Sequence, residues 1–135
     1  MDAAASVAIV KQLYTAFARR DIAAILAVLS PDVVWSEPAN PFNPAGGTRR
    51  GHAGFLEWVR VGSAAEEVLS LEPREFLTNT RAVAVVGQTR CRARATGHTY
   101  ETDFVHLVTL DECGLVTSFQ EFFDTWAAAE AFRPT

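Results

Sequence analysis

The apolar residues of this chain change period part-way along, from helical spacing in the first half to strand-like stretches in the second, and this change limits the fold it can take. From Ala5 to Arg19, Val7, Ile9, Val10, Leu13, Tyr14 and Phe17 recur three to four residues apart, which places them on one face of a helix. Ser6 stands where a cap belongs. Asp21 is placed to cap a second, shorter helix through Ile22, Ile25, Leu26 and Leu29, which has to stop near Ser30 because Pro31 disfavours helical geometry in the residue before it. Val33, Val34 and Trp35 then form a short β-branched and aromatic run, a strand ending at Glu37 and closed by Pro38. Between Pro38 and Gly51 lie three prolines, three glycines and two asparagines, the composition of a loop over a site. Helical spacing returns from His52 to about Ala65, with Phe55, Leu56, Trp58 and Val59. Four strand-like stretches follow, Val68 to Phe76, Arg81 to Ala95, Thr99 to Leu110 and Val116 to Phe123, separated by turn residues such as Asn79, Gly97 and Gly114. No helices alternate with these strands, so the expected fold is α+β: an antiparallel meander packed on about three N-terminal helices.

At 135 residues and 49% hydrophobic, the chain suits a single domain over 1–135 with one core. A net charge of -4 gives no general attraction to phosphate backbones or anionic lipid, so nucleic acid is not expected as a partner. No apolar run approaches the ~20 residues that span a bilayer, and the N-terminus lacks the basic region and apolar run of a secretion signal. No membrane partner and a cytoplasmic location are the corresponding expectations. Cys91 and Cys113 lack CxxC spacing and read as reduced thiols, while His52, His98 and His106 show no metal-ligand spacing. Neither metal nor cofactor is expected.

Three stretches of the first third carry a family likeness: Tyr14-Thr15-Ala16-Phe17, Arg20-Asp21-Ile22, and Leu29-Ser30-Pro31-Asp32-Val33-Val34-Trp35. They resemble the start of SnoaL-like polyketide cyclases and their ketosteroid isomerase and limonene epoxide hydrolase relatives. Thr48-Arg49-Arg50-Gly51 ahead of a helix, Gly97 in a turn, Gly114-Leu115-Val116 and the final Phe123-Asp124 extend the resemblance over nearly the whole chain. It implies the cone-shaped nuclear transport factor 2-like (cystatin-like) fold, with one pocket inside a curved sheet, and a homodimer through that sheet. It leaves the reaction open, because the fold hosts isomerases, cyclases, dehydratases, hydrolases and members without activity. By the same resemblance Glu37 lies where ketosteroid isomerases carry the aspartate that moves the substrate proton, and His106 near their protonated acid on the penultimate strand. The tyrosine donor of that family aligns with Leu13, one residue before Tyr14, a step that rotates a helical side chain by about 100°. Arg90, Arg92 and Asp103 do not match the Asp-Arg-Asp arrangement of an epoxide hydrolase.

Alternation places Val33, Trp35 and Glu37 on one strand face, and Tyr100, Thr102, Phe104 and His106 on another. If both line one cavity, a desolvated Glu37 is a base of near-neutral pKa, and His106 or Tyr14 is a partner for a ligand oxygen. Trp35, Phe55, Trp58, Phe104, Tyr100 and Phe119 are candidate walls for a small apolar or aromatic ligand. Each residue also has a plainer reading: Glu37 capping the Pro38 loop or paired with Arg49 or Arg50, His106 as a hydrogen-bonded core histidine, Tyr14 and the aromatics as core packing. Arg90, Arg92 and Arg94 share the opposite strand face and are positioned to pair with Glu101 and Asp103, while His52 and His98 read as exposed turn residues. Trp126 and Phe132 belong to a short terminal helix, as a partial lid or as packing. Two functions follow: cofactor-independent acid–base catalysis of the isomerase, cyclase or dehydratase type on a small carbonyl compound, or a non-catalytic small-molecule-binding or dimerisation domain.

Overall fold

Asp2 caps the first helix, α1 (Ala3–Ala18), its carboxylate accepting from the Ala5 amide, so the helix starts two residues before the apolar pattern does. Ser6, the cap expected from the sequence, is instead buried, and its hydroxyl donates to the Thr80 carbonyl. The structure, a computed structural model, describes residues 1–134. Asp21 caps α2 (Ile22–Val28) as its position implies, accepting from Ala24. The chain then passes directly into strand β1 (Leu29–Glu37), which is longer than the Val33–Glu37 segment read from β-branched residues alone. Pro31 is tolerated because it falls in the register shift between Leu29 and Val34, where its missing N–H costs no ladder bond.

The Pro38–Gly51 stretch is only partly loop, since Gly47–Arg50 forms a short strand, β2, antiparallel to β1. Helix α3 (Gly51–Ala65) follows, then β3 (Glu66–Thr78), β4 (Ala82–Ala93), β5 (Thr99–Leu110), β6 (Val116–Phe123) and a last helix, α4 (Thr125–Phe132), capped by Asp124. The sheet order is β2-β1-β6-β5-β4-β3. The meander β3 to β6 is antiparallel as expected, but β6 also pairs with β1, and in parallel. A parallel pair needs a long crossover, supplied here by the intervening helix and meander.

The sheet curves around α1 and α3 without closing, giving the α+β cone: α1 packs on β3 and β4, and α3 on β1 and β3. Inside lie Val10 and Leu13 of α1, Ile25 of α2, Trp35, Phe55, Val83, Val85, Phe104, Val108 and Phe119. A second cluster joins Cys91, Ala93 and Tyr100 to Ala128, Ala131 and Phe132 of α4. Gly87 on β4 faces Phe104 across the ladder, and a Cβ there would sit 2.5 Å from Phe104 Cζ, so only glycine lets this ring lie flat on the sheet. On the outer face the arginine pairing differs from expectation: Arg92 bonds Glu67 of β3 at 2.9 Å, and Arg94 donates to the Ser63 carbonyl. The β3 edge at Glu67 is nearer Arg92 in register than either acid of β5. Among the described residues, no helix is long and apolar enough to cross a membrane.

Candidate functional site

Strand register assembles the site. His106 on β5 stands directly opposite Glu121 on β6. Glu37 on β1 lies one step beyond the Ser36–Gln120 pair, so Glu37, Glu121 and His106 form a row across three neighbouring strands spaced about 4.8 Å apart. Helix α1 lays Tyr14 over the end of this row: its hydroxyl is 2.6 Å from His106 Nδ1, with the two rings stacked. His106 Nε2 is 3.6 Å from Glu121 Oε2. Burial, and secondarily the charge of Glu121, push the Tyr14 phenol above its ordinary range, so it stays protonated and donates to Nδ1. A neutral imidazole in that arrangement carries its proton on Nε2, facing Glu121.

Glu37 is 8% exposed. It accepts from Trp58 Nε1 at 3.0 Å on one oxygen and from Asn43 Nδ2 at 2.9 Å on the other. Asn43 is held by the loop itself, because Asn40 Oδ1 accepts from the Phe42 and Asn43 amides and Asn43 Oδ1 accepts from Ala45. Neither Arg49 nor Arg50 pairs with Glu37: Arg49 donates to the Ala45 and Pro44 carbonyls and pairs with Glu57. Desolvation, then the nearby Glu121 carboxylate, push Glu37 up to about 8, outweighing the two hydrogen bonds that favour its charged form.

The row opens on a cavity of about 140 Å³, close to the roughly 150 Å³ that elsewhere accommodates one benzene molecule. Its walls are Phe17, Trp35, Trp58, Phe104, Phe119 and Phe123, and its polar groups include Tyr14, Glu37, His106, Glu121, Glu66 and Tyr100. Val68, 53% exposed, and Leu71 mark the mouth beside β3. Trp35 stacks on Phe119 with centroids 4.0 Å apart, and its buried Nε1 has no hydrogen-bond partner among the described residues. Tyr100 donates to Glu66 Oε2 at 2.5 Å.

Tyr14, Glu37 and His106 thus face one cavity, and Trp35, Trp58, Phe104, Tyr100 and Phe119 line it. Phe55 does not: it is fully buried, packed against Trp35 with centroids 4.7 Å apart, because its position on α3 points between the helices. Leu13 packs in the core while its neighbour Tyr14 turns to the cavity, so the tyrosine hydroxyl arrives from one residue later. His52 is not an exposed turn residue but part of α3, bonded to the Leu29 carbonyl at 3.0 Å. Trp126 is 69% exposed and outside the cavity wall, whereas Phe132 packs near Tyr100. Sequence reasoning does not single out Glu121, Glu66 or Asn43. Alternation from Phe119 points to Glu121, whereas Glu66 and Asn43 depend on how α3 and the loop fold back.

A family model described as SnoaL-like domain matches residues 10–119. Among solved structures, an NTF2-like protein from Burkholderia xenovorans is 35% identical, with a TM-score of 0.89 over 98% of this chain and 99% of that one. An NTF2-like protein of unknown function from Burkholderia pseudomallei is 30% identical, with a TM-score of 0.87 over 96% and 98%. TerC, co-crystallised with polyporic acid, is 32% identical, with a TM-score of 0.85 over 95% and 98%. No curated protein matches the chain. With the family model spanning most of its length and its α+β cone shared with these relatives, the chain belongs to the SnoaL-like domain family.

Proposed function

We propose that this protein is a cofactor-independent acid–base catalyst acting on a small aromatic carbonyl compound. The observation that carries the reading is the meeting of Glu37 with the Tyr14–His106 pair on one aromatic cavity. Glu37 as carboxylate takes a proton from the carbon next to the ligand carbonyl, and the electron pair moves to the carbonyl oxygen as an enolate. The single O–H of Tyr14 turns from His106 Nδ1 to that oxygen, and the protonated Glu37 returns its proton to the same or a neighbouring carbon. Burial, and after it the charge of Glu121 lying between the two groups, raise the proton affinity of Glu37 toward neutrality. The co-crystallisation of a related chain with polyporic acid supports an aromatic ligand in this fold.

The test does not depend on the identity of the product. Aryl ketones and 1,3-diketones are incubated with the protein in D2O, and deuterium entering next to the carbonyl is read by mass spectrometry, with binding followed by tryptophan fluorescence. Exchange by the wild type that Glu37→Gln abolishes while binding persists is the expected result. Ligands that bind without exchange, or equal exchange in Glu37→Gln, overturn catalysis and leave a binding domain.

We also infer that two copies pair through the outer sheet face. Leu77, Ala84 and Leu107 form one cross-strand row there, and Val86, Val105 and Phe122 another. Leu77, Leu107, Val105 and Phe122 are exposed, an apolar strip of the kind that marks an interaction surface.

A further inference from the structure

Four polar side chains meet in a part of the cavity that the acid–base chemistry leaves unused. Tyr100 lies six residues before His106 on the same face of β5. Its hydroxyl donates to Glu66 Oε2 at 2.5 Å. Cys91 is its cross-strand partner, and Thr89 Oγ1 lies 3.6 Å from Cys91 Sγ. All four line the cavity, Tyr100 and Cys91 being buried and Glu66 half-buried at the head of β3.

Three observations separate this group from a pair that merely ties β3 to β5. Glu66 commits one carboxyl oxygen to Tyr100, while Oε1 makes no hydrogen bond to the protein among the described residues and is not sealed off. Among the described residues no lysine or arginine belongs to the cavity wall, so the carboxyl–phenol pair is left to donate and accept on its own. Glu66 and Glu37 also line the same cavity, so the two polar ends lie around one space, with the rings of Phe104 and Phe123 in the same wall.

We propose that Glu66 and Tyr100 form a second polar subsite that takes a hydroxyl group of the ligand, so that the ligand is an aromatic carbonyl compound bearing a phenolic hydroxyl remote from its carbonyl. The hydroxyl donates to the free Glu66 oxygen and the ring lies against Phe104. This rests on the cavity being the site of an aromatic carbonyl ligand, as proposed above, but not on proton abstraction by Glu37.

Four probes test it by quenching of tryptophan fluorescence: acetophenone, benzylideneacetone, and the para-hydroxyl counterpart of each. In the wild type the hydroxyl member of at least one pair binds about tenfold more tightly than its parent. Tyr100→Phe and Glu66→Gln bring that preference to about twofold or less, because each weakens binding of the hydroxyl member more than that of its parent ketone. Circular dichroism melts verify folding, and Glu66→Gln, which keeps an acceptor for Tyr100, carries the result if Tyr100→Phe does not fold. No preference for the hydroxyl in the wild type, a preference that survives both substitutions, an equal loss for both members of a pair, or no binding of any probe overturns the subsite. Preference without deuterium exchange removes the catalytic reading and keeps this one; exchange without preference does the reverse.

Discussion

A carboxyl group as buried as Glu37, with Glu121 beside it, holds its proton into the neutral range, which bears on stability and on the rate of the proposed proton transfer. The folded value of about 8 lies above the ordinary 4.5, so the folded chain keeps a proton that the unfolded chain has released between those limits. The stabilisation is complete below about pH 4.5 and is lost as pH rises through about 8, by an amount on the order of a few kcal/mol. Urea denaturation at pH 5 and pH 9 is expected to show a clear loss in the wild type and a smaller one in Glu37→Gln; equal losses contradict the assignment. Deuterium exchange, which needs the carboxylate, is expected to climb toward a plateau above about pH 8. Tyr14→Phe leaves the buried His106 Nδ1 without its partner, and urea denaturation should register a loss of about 1–3 kcal/mol. These three residues were legible because each falls on a face that periodicity defines. Glu121 lay on an equally legible face but is set between the other two only by the β1–β6 pairing.

At the level of elements, β4 and β5 meet at Gly87 and Phe104, where one methyl group is too much. Gly87→Ala drives a Cβ into the Phe104 ring and the Glu72 carbonyl. It is expected to cost about 1–3 kcal/mol in urea denaturation and, by pushing the ring toward the cavity, to weaken binding of aromatic ketones. Unchanged stability and affinity together would count against this packing. Phe55→Ala, behind Trp35, should cost about 3–5 kcal/mol with no direct loss of a ligand contact. The helices and the meander were readable from period alone, because each is a local pattern. The length of β1 and the existence of β2 were not: Pro31 and the glycine- and proline-rich loop argue against strand locally, and pairing with β6 and β1 overrides them.

For the whole molecule, one curved sheet has two faces of different character. The concave face supplies the cavity, and the outer face exposes Leu107, Val105 and Phe122. Size-exclusion chromatography with light scattering is expected to give a dimer for the wild type and a monomer for Leu107→Glu, with the far-ultraviolet circular dichroism unchanged. A wild-type monomer at the same concentration rules the pairing out.

Local periodicity and turn chemistry were enough to specify the α+β class, the helix cap at Asp21, the antiparallel meander and the cavity face of Val33–Glu37 and of Tyr100–His106, though not the faces of β3, where register shifts break the alternation. Folding in three dimensions was needed to bring Glu37, Glu121 and His106 into one row, to let Tyr14 rather than Leu13 reach it, to join Glu66 to Tyr100, and to put Phe55 behind the wall instead of in it. Those are contacts between residues far apart in the chain, set by strand register and by the angle at which helices cross the sheet, and no local pattern encodes either.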